Sequence, residues 1–423
     1  MLYIYGALTV GGIETFFVRM AKERAKLGLV TYILLLSKKQ QSNQELLNEM
    51  GKYATILFPE DIFSNIPWLS LKFPLLSPVK LEVVKNIINN IDQIHIYHGM
   101  HAQLGYHLCQ LAGKNLPITI GFYHYIQYLW GGENTAWHEK INRKFIFNYL
   151  PEQSLLFFSE GNRDLYSEHK KLKFEKSNTF RLGVIDKKQV KFSGKLLKPL
   201  KIVAVGRLVE FKTYNFYMID VISDLLKKGI DIQFDIYGDG PLKQQIQQKI
   251  KAAGLEDKIT LKGTLDYSKF DETVINYDLF IGSGTAIIQA AALGIVSIVG
   301  VENTLKPKTY GYFCDVFQYE YNLKGLDIPL IAVDEMIESY ITLSDDSRLQ
   351  LKEKHYRCVD AFTNENCQHA MDELKHIEMP LKAFKFNKVF YELSRLIDRV
   401  NMGFNKNHPR ITQFEDFRKL KEN

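Results

Sequence analysis

Short apolar segments alternate with longer amphipathic segments along the first half of the chain. The amphipathic segments repeat apolar residues at helical spacing and predict helices at residues 12–27, 44–51, 81–89 and 102–112. The short apolar segments predict strands at residues 2–5, 30–35, 54–58, 93–97, 118–123, 155–159 and 177–182. Strands separated by helices pair in parallel, so this half is predicted to form a parallel sheet covered by helices.

The same alternation starts again near residue 200. Strands are predicted at residues 202–205, 233–237, 259–262, 279–281 and 296–299, and helices at residues 214–228, 242–253, 268–276 and 286–293. Residues 186–200 are rich in lysine and poor in large apolar residues, which is typical of an interdomain linker. We therefore predict an α/β protein with Rossmann-like domains at residues 1–185 and 201–360, followed by C-terminal helices and a basic tail at residues 361–423.

Length and composition fit a globular protein of more than one domain. The chain has 423 residues, of which 46% are hydrophobic and 24% are charged, and this is ample for two or three cores. The formal net charge is +6, and residues 381–423 alone carry ten Lys and Arg against five Asp and Glu. Cys109, Cys314, Cys358 and Cys367 have neither disulfide-framework nor metal-ligand spacing, which indicates a reducing compartment.

Three glycine-bearing loops in the second half each follow a predicted strand. They read V-A-V-G-R-L-V-E-F-K at residues 203–212, D-I-Y-G-D-G-P-L at residues 235–242 and G-S-G-T-A-I-I-Q at residues 282–289. The carboxyl ends of parallel strands and the N-termini of helices together form sites for anionic ligands. Arg207 and Lys212 lie in the first loop, and two cations beside a helix N-terminus suit a diphosphate. A simpler interpretation treats these two cations as a solvated surface pair and Thr285 as an ordinary N-cap.

These loops, in this order, resemble those of the GT-B glycosyltransferases of family 4, also called group 1. Further matches are G-G-I-E-T-F at residues 11–16, I-H-I-Y-H-G at residues 94–99 and F-Y-H-Y at residues 122–125, and the resemblance covers roughly residues 6–374. It implies two Rossmann-like domains that face a central cleft, with the acceptor in the N-terminal domain and a nucleotide-sugar donor in the C-terminal domain. It implies a UDP- or GDP-sugar donor and transfer to a glycan or lipid-linked acceptor in surface polysaccharide biosynthesis.

The resemblance also assigns site residues. It implies His124, Arg207 and Lys212 as catalytic residues, and Gly12, Gly263, Thr264, Gly284, Thr285, Ala286 and Gln289 as donor-binding residues. The two cations would hold the donor diphosphate, and the helix beginning at residues 284–286 would contact its oxygens. Gln289 would contact the ribose, Gly263 and Thr264 would lie near the base, Gly12 would form the cleft floor, and His124 would lie near the reacting carbon.

One departure from the family affects the expected chemistry. The family carries a Glu-x7-Glu motif in this domain, but this chain has Gln289 in place of the second glutamate and no acid where the first belongs. An amide can still hydrogen-bond hydroxyl groups. The departure leaves three alternatives open: a retaining hexosyltransferase, a catalytically silent GT-B subunit that acts as a binding or assembly partner, and a nucleotide-sugar epimerase.

No metal or cofactor is expected from the pattern. The chain has no D-x-D motif that could link a diphosphate to Mg²⁺, so the positive charge is expected to come from Arg207, Lys212 and backbone dipoles. His95 and His98 face opposite sides of a predicted strand and lack Cys, Asp or Glu at ligand spacing. The third glycine of a dinucleotide fingerprint is replaced by Ile287, which argues against NAD binding.

The C-terminal segment has an apolar stripe with basic residues beside it. The stripe consists of Phe386, Val389, Phe390, Leu393, Ile397, Val400 and Phe404. One interpretation packs the stripe back onto the protein, and the other places it on an anionic membrane surface. Nucleic acid is not an expected partner, because no recognition module accompanies the basic residues. We expect a cytoplasmic protein, without a secretion signal or membrane span, and the second interpretation adds peripheral contact with the inner face of the membrane.

Overall fold

The chain folds into two units, each built on a parallel β-sheet. The computed structural model describes residues 1–9, 11–64, 67–124, 127–319, 321–322 and 325–412. The first unit comprises Met1–Gly183 and Asn364–Asn423, and the second comprises Val184–Thr363. Residues 186–200, predicted as a linker, fall within the second unit, where the Phe192 ring lies against Tyr356 at a centroid distance of 5.2 Å.

The sheet of the first unit has seven strands among the described residues. They are β1 (Leu2–Tyr5), β2 (Tyr32–Leu35), β3 (Thr55–Leu57), β4 (Ile94–Ile96), β5 (Ile118–Phe122), β6 (Leu155–Phe157) and β7 (Asn178–Thr179). Their order is β3-β2-β1-β4-β5-β6-β7, and all the pairs are parallel. Ile94, Ile96, Ile118 and Ile120 are fully buried, as expected for central strands covered on both faces.

Helices cover both faces of this sheet. They are α1 (Gly12–Lys26), α2 (Gln44–Met50), α3 (Pro59–Ile62), α4 (Pro67–Lys72), α5 (Leu81–Asn89), α6 (Gly99–Ala112), α7 (Trp137–Lys144) and α8 (Glu160–Lys170). Side-chain caps begin several of them: Asn43 accepts the N–H of Leu46, and Ser159 accepts the N–H of Asn162. α5 buries Val84, Ile87 and Ile88, the spacing on which its prediction rested.

The second unit repeats the arrangement with five parallel strands among its described residues. They are β8 (Leu200–Val205), β9 (Ile232–Tyr237), β10 (Ile259–Gly263), β11 (Leu279–Gly282) and β12 (Val296–Val299), in the order β10-β9-β8-β11-β12. The helices are α9 (Tyr214–Lys227), α10 (Lys243–Ala252), α11 (Phe270–Val274), α12 (Thr285–Ala292), α13 (Phe313–Val316), α14 (Val333–Thr342) and α15 (Asp345–Cys358). A separate antiparallel pair joins β13 (Lys308–Thr309) to β14 (Ile331–Ala332). The two parallel-sheet units confirm the predicted pair of Rossmann-like domains.

The last part of the described chain returns to the first unit. It forms α16 (Asn364–Glu373) and α17 (Lys388–Phe404). α16 is tied to α1 by the buried Arg24, whose guanidinium pairs with Asp372 and, at 3.4 Å, with Asp92. The Gln93 amide also donates to the carbonyl of Met371 at 3.1 Å. These buried polar contacts hold α16 against the first sheet.

α17 packs on the first unit through its polar face. Its buried residues are Tyr391, Glu392, Arg395 and Asp398, whereas Ile397 and Phe404 are 68% and 88% exposed. The helix therefore does pack back onto the protein, as one interpretation predicted, but the apolar stripe points away from it. Among the described residues, no helix is both long and apolar enough to span a membrane.

Candidate functional site

The strand order of the second sheet places two loops side by side. The chain moves from β8 to β9 and β10 in one direction and reaches β11 and β12 in the other. Where the order reverses in this way, the loops at the carboxyl ends of the two central strands separate and leave a crevice in which ligands bind. Here these are the loops after β8, with Arg207 and Lys212, and after β11, with Ser283 and Gly284.

The loop after β8 is held in place by the loop after β9. The N–H of Leu208 donates to the carbonyl of Asp239 at 3.0 Å, and the N–H of Leu242 donates to the carbonyl of Leu208 at 3.2 Å. Gly238 permits this close approach, because a Cβ there would collide with the carbonyl oxygen of Gly206. The buried Leu208 thus anchors the loop.

Arg207 and Lys212 bring two positive charges to the crevice. Arg207 is exposed. The Lys212 Nζ lies close to the backbone of Gly206: a Cβ atom added to this glycine would be 2.8 Å from the Nζ. Burial lowers the pKa of Lys212, the Glu302 carboxylate opposes this shift, and the Arg207 guanidinium adds to it. Among the described residues, neither side chain forms a hydrogen bond or an ion pair within 4.0 Å. Both cations are therefore available to a bound anion.

The N-terminus of α12 faces the same crevice from the loop after β11. Gly284 is the N-cap and no side chain caps the helix, so the simpler interpretation, in which the Thr285 side chain is an ordinary cap, does not hold. The backbone of Gly284 has φ +69° and ψ −143°, a conformation that essentially only glycine adopts. Its N–H donates to the Asn322 Oδ1 at 3.1 Å. The first N–H groups of α12, on Thr285 and Ala286, have no side-chain cap and add to the positive potential.

The crevice also contains a carboxylate, on Glu302. The Ser283 hydroxyl donates to the Glu302 Oε1 at 2.7 Å, and the N–H of Glu302 donates to the carbonyl of Asn322 at 2.8 Å. Burial raises the pKa of Glu302, while the hydrogen bond from Ser283 and the charge of Lys212 partly counteract the shift. Sequence reasoning missed this residue, although an acid three positions beyond a predicted strand was a readable signal.

The remaining predicted donor-binding residues of the second unit lie along the same edge of its sheet or just behind it. Gln289 is buried in the second turn of α12, with 7% of its surface exposed. Gly263 ends β10, two strands away from β8, and Thr264 follows it and is exposed. Two strand spacings are about 10 Å, so these two residues flank the crevice at a distance.

The predicted residues of the first unit lie at the carboxyl edge of the first sheet. Gly12 is the first residue of α1, after β1, and His124 follows β5. The Tyr97 ring, after β4, lies 5.9 Å from Tyr5 and 6.3 Å from His124 between ring centroids. His124 is exposed on one side, and burial of the rest of its ring lowers its pKa. Tyr125, the last residue of the predicted F-Y-H-Y motif, lies outside the described residues.

Two histidines near this edge, His95 and His98, have protein partners. His95 is fully buried between the Thr119 hydroxyl at 2.9 Å and the Tyr123 hydroxyl at 2.7 Å, and burial lowers its pKa to about 3. His98 accepts the N–H of Met100 at 3.3 Å and thereby caps α6. In the part of the chain that the structure describes, no three His, Cys, Asp or Glu side chains are grouped so that they could hold a metal ion.

This geometry suits a ligand that is anionic at one end and rich in hydroxyl groups at the other. Arg207, Lys212 and the α12 N-terminus provide positive charge where the diphosphate prediction placed it. Glu302 and Ser283 provide hydrogen-bonding groups beside that charge. The predicted roles of the individual residues stay predictions.

Comparison with known proteins identifies the second unit. Residues 186–317 match the family described as "Glycosyl transferases group 1". An uncharacterized glycosyltransferase of Haemophilus influenzae is 31% identical over 157 residues, which cover 35% of this chain and 43% of that protein. An alpha-D-kanosaminyltransferase of Streptomyces kanamyceticus is 35% identical over 66 residues, which cover 16% of this chain and 17% of that protein. The matches thus span less than half of these curated relatives.

Solved structures resemble the chain over most of its length. A glycosyltransferase from Rickettsia africae has a TM-score of 0.59 at 15% identity, and the match covers 88% of this chain and 97% of that one. A lipopolysaccharide outer core galactosyltransferase has a TM-score of 0.53 at 13% identity, with coverages of 88% and 98%. An Anabaena protein solved in complex with UDP has a TM-score of 0.54 at 13% identity, with the same coverages. At these identities the likeness shows the fold, which is that of the GT-B class.

Proposed function

We propose that this chain is a glycosyltransferase, because residues 186–317 match the group 1 glycosyltransferase family and the chain has a GT-B fold. Its donor is a UDP- or GDP-linked sugar, and its acceptor is a hydroxyl group of a glycan or a lipid-linked glycan. The likeness to a lipopolysaccharide galactosyltransferase supports a place in surface polysaccharide biosynthesis.

The observation that carries the proposal is the pair of unpartnered cations at the crevice between β8 and β11. Bond breaking at the anomeric carbon moves negative charge onto the departing diphosphate. Arg207 and Lys212 stabilise that charge, because the loop that carries them is held at the crevice by the buried Leu208 before the donor arrives. The N–H groups at the start of α12 contribute in the same direction.

We propose that the reaction does not need a divalent metal. The support is the positive charge that the chain itself brings to the crevice, together with the absence of a D-x-D motif from its sequence. Activity that persists in excess EDTA is the expected result. Activity that EDTA abolishes and Mg²⁺ or Mn²⁺ restores would contradict this part of the proposal.

We propose that the anomeric configuration of the sugar is retained, as the family resemblance implies. In the first unit, Gly12 and His124 would contribute to the acceptor site, since both lie at the carboxyl edge of the first sheet. Proton NMR of the first-formed product measures the anomeric coupling constant. A coupling constant that shows inversion would refute this assignment.

The direct test is a screen of the whole chain against nucleotide sugars. Thermal unfolding with UDP-glucose, UDP-galactose, UDP-N-acetylglucosamine and GDP-mannose identifies the donor, because a ligand at about a hundredfold its Kd stabilises by about 2.7 kcal/mol. Release of UDP or GDP then measures turnover. Binding without release of the diphosphate by any of these donors would favour the catalytically silent subunit, whose support is the departure at Gln289.

We further propose that α17 places the protein on an anionic lipid surface. The exposed face of α17 is apolar: Val389, Phe390, Leu393, Ile397, Val400 and Phe404 are 47–88% exposed. Between residues 381 and 412 both acidic residues, Glu392 and Asp398, are buried, whereas Lys385, Arg399 and Lys406 are exposed. An apolar face on a segment whose exposed charges are positive is complementary to an anionic leaflet, where each basic residue adds about 1 kcal/mol.

The polar contacts beneath α17 explain why its apolar stripe does not pack inward. The Tyr391 hydroxyl donates to the Asn142 Oδ1 at 2.7 Å, and the Glu392 Oε1 accepts the N–H of Leu75 at 3.0 Å. The Asp398 Oδ1 contacts the His408 Nε2 at 3.1 Å. Turning the stripe inward would leave the buried partners of these side chains, on Asn142, Leu75 and His408, against apolar groups, at about 1–3 kcal/mol each.

Vesicle sedimentation tests the lipid proposal. We expect the full chain to sediment with phosphatidylglycerol-containing vesicles and to do so much less with pure phosphatidylcholine. The double variant Ile397→Ser, Phe404→Ser should lose binding without loss of stability, and Ile275→Ser, an exposed apolar residue of the second unit, serves as control. Equal binding by the double variant would refute the proposal, as would self-association through α17 in the absence of vesicles.

A further inference from the structure

Glu302 has no counterpart among the residues that sequence reasoning assigned to the crevice. It follows β12, whereas the loop after β11, where the family carries an acid, is Gly282, Ser283 and Gly284. Because β12 lies beside β11 in the sheet, the loop after β12 reaches the same crevice. The Ser283 hydroxyl, 2.7 Å from the Glu302 Oε1, fixes the side chain there.

Glu302 is placed as a binding group. It is half-buried, yet its Oε1 accepts one hydrogen bond and its Oε2 accepts none from the described residues. Lys212 lies close enough to influence its charge but does not approach within 4.0 Å. Withdrawing a carboxylate from water is costly unless it is paired or hydrogen-bonded. If Glu302 had only a structural role, its carboxylate would be expected to form a direct ion pair with Lys212. The open oxygen Oε2 is instead available to a ligand.

The position of the carboxylate selects which part of a ligand it can contact. A phosphate beside Glu302 would be repelled, so the diphosphate belongs with Arg207, Lys212 and the start of α12. A hydroxyl group that donates to Oε2 forms a hydrogen bond to a charged acceptor, which is stronger than a hydrogen bond between neutral groups. The structure assigns to Glu302 the role of accepting hydrogen bonds from the hydroxyl groups of the transferred sugar, an inference that rests on the proposed function.

Glu302 also acts on Lys212. With Glu302 ionised, the two charges partly neutralise each other in the free protein. When the diphosphate binds, Lys212 interacts with both the phosphate and the carboxylate. The negative charge of Glu302 therefore lowers the affinity of the crevice for the diphosphate. A sugar that hydrogen-bonds Glu302 offsets this weakening. The crevice is therefore expected to favour the intact nucleotide sugar over the free nucleoside diphosphate.

The test compares the two ligand classes in one variant. Titration calorimetry on the full chain with UDP and GDP identifies the base, and the sugar conjugates of that base are then titrated. In Glu302→Gln, which keeps the shape and an acceptor for Ser283, we expect affinity for the nucleotide sugar to fall about tenfold or more. Affinity for the free diphosphate should stay the same or rise, because a negative charge has been removed from beside Lys212.

Controls separate this role from a structural one. Glu256→Gln removes an exposed carboxylate of the same unit and should change neither affinity. Glu302→Ala should repeat the opposite responses of the two ligands more strongly. Equal weakening of sugar conjugate and free diphosphate in Glu302→Gln would overturn the inference, since a loss of loop structure affects both. A wild type that binds neither UDP nor GDP would instead overturn the proposed function.

Discussion

Removing the Arg207 side chain isolates the electrostatic part of the proposed site. Arg207 is exposed and forms no side-chain hydrogen bond or ion pair among the described residues. The loop that carries it is held by Leu208, which is 1% exposed and bonded to the loop after β9. Arg207→Ala should therefore leave the backbone in place, and its free energy of unfolding should stay within about 0.5 kcal/mol of the wild type.

The expected loss in binding follows from the kind of contact that is removed. A hydrogen bond between charged partners contributes about 1.5–3 kcal/mol, which corresponds to a roughly 10- to 150-fold weaker Kd for the nucleoside diphosphate. Lys212 and the start of α12 remain, so binding should weaken and not vanish. Turnover should fall at least as far, because the diphosphate carries more negative charge in the transition state than in the bound donor.

Calorimetry with UDP or GDP measures the Kd, urea denaturation measures the free energy of unfolding, and release of the diphosphate measures turnover. The matched control is Arg357→Ala, an arginine of the same unit that is paired with Glu353 on the surface of α15. The affinity difference between wild type and Arg207→Ala should shrink in 1 M salt, where exposed charges are screened beyond about 3 Å. Unchanged affinity with unchanged stability would show that the diphosphate does not bind at Arg207.

Three further predictions concern stability. Gly284→Ala should lower the free energy of unfolding by about 1–3 kcal/mol, because its φ of +69° suits glycine; an unchanged urea midpoint would contradict this conformation. Burial lowers the pKa of His355 to about 4, so the unfolded chain takes up a proton first, and stability is lost as pH falls from about 6.5 towards 4. At pH 5.5 the protonation of His355 in the unfolded chain should lower the free energy of unfolding of the wild type by about 1.4 kcal/mol relative to neutral pH. Denaturant titration of His355→Gln at both pH values should show a fall that is smaller by this amount. Arg24→Met should cost about 3 kcal/mol, near the lower end for a broken buried pair because Asp372 and Asp92 keep some solvent contact; thermal unfolding with no shift in Tm would refute this.

The elements that the pattern predicted well bury most of their apolar residues in one sheet or against it. β1, β12 and α5 have the predicted bounds, and the predicted starts of α1, α2 and α9 are also correct. α15 was not predicted because its sequence, D-D-S-R-L-Q-L-K-E-K-H-Y-R-C, has no apolar stripe. It packs mainly through polar side chains, since its buried residues are Arg348, Lys352 and His355 together with Cys358. A hydrophobic pattern cannot reveal a helix that is held by polar contacts.

The candidate site could be predicted in part because several of its residues directly follow predicted strands. Arg207, Lys212 and Gly284 each follow a predicted parallel strand, and the carboxyl ends of such strands share one edge of the sheet. Glu302 obeys the same rule but stood apart in the sequence from the glycine-bearing loops. Its place in the site became visible only through the hydrogen bond from Ser283.

The periodic pattern of apolar residues, a local property, was enough to establish two parallel α/β domains and the loops that carry their glycines and cations. Strand order is not local: only the folded sheet puts β11 between β8 and β12, and so brings Lys212, Ser283 and Glu302 into one crevice. The orientation of α17 is equally nonlocal. Its stripe predicted an amphipathic helix, but Asn142 and Leu75, the partners of Tyr391 and Glu392, lie hundreds of residues away, and these contacts turn the apolar face towards solvent.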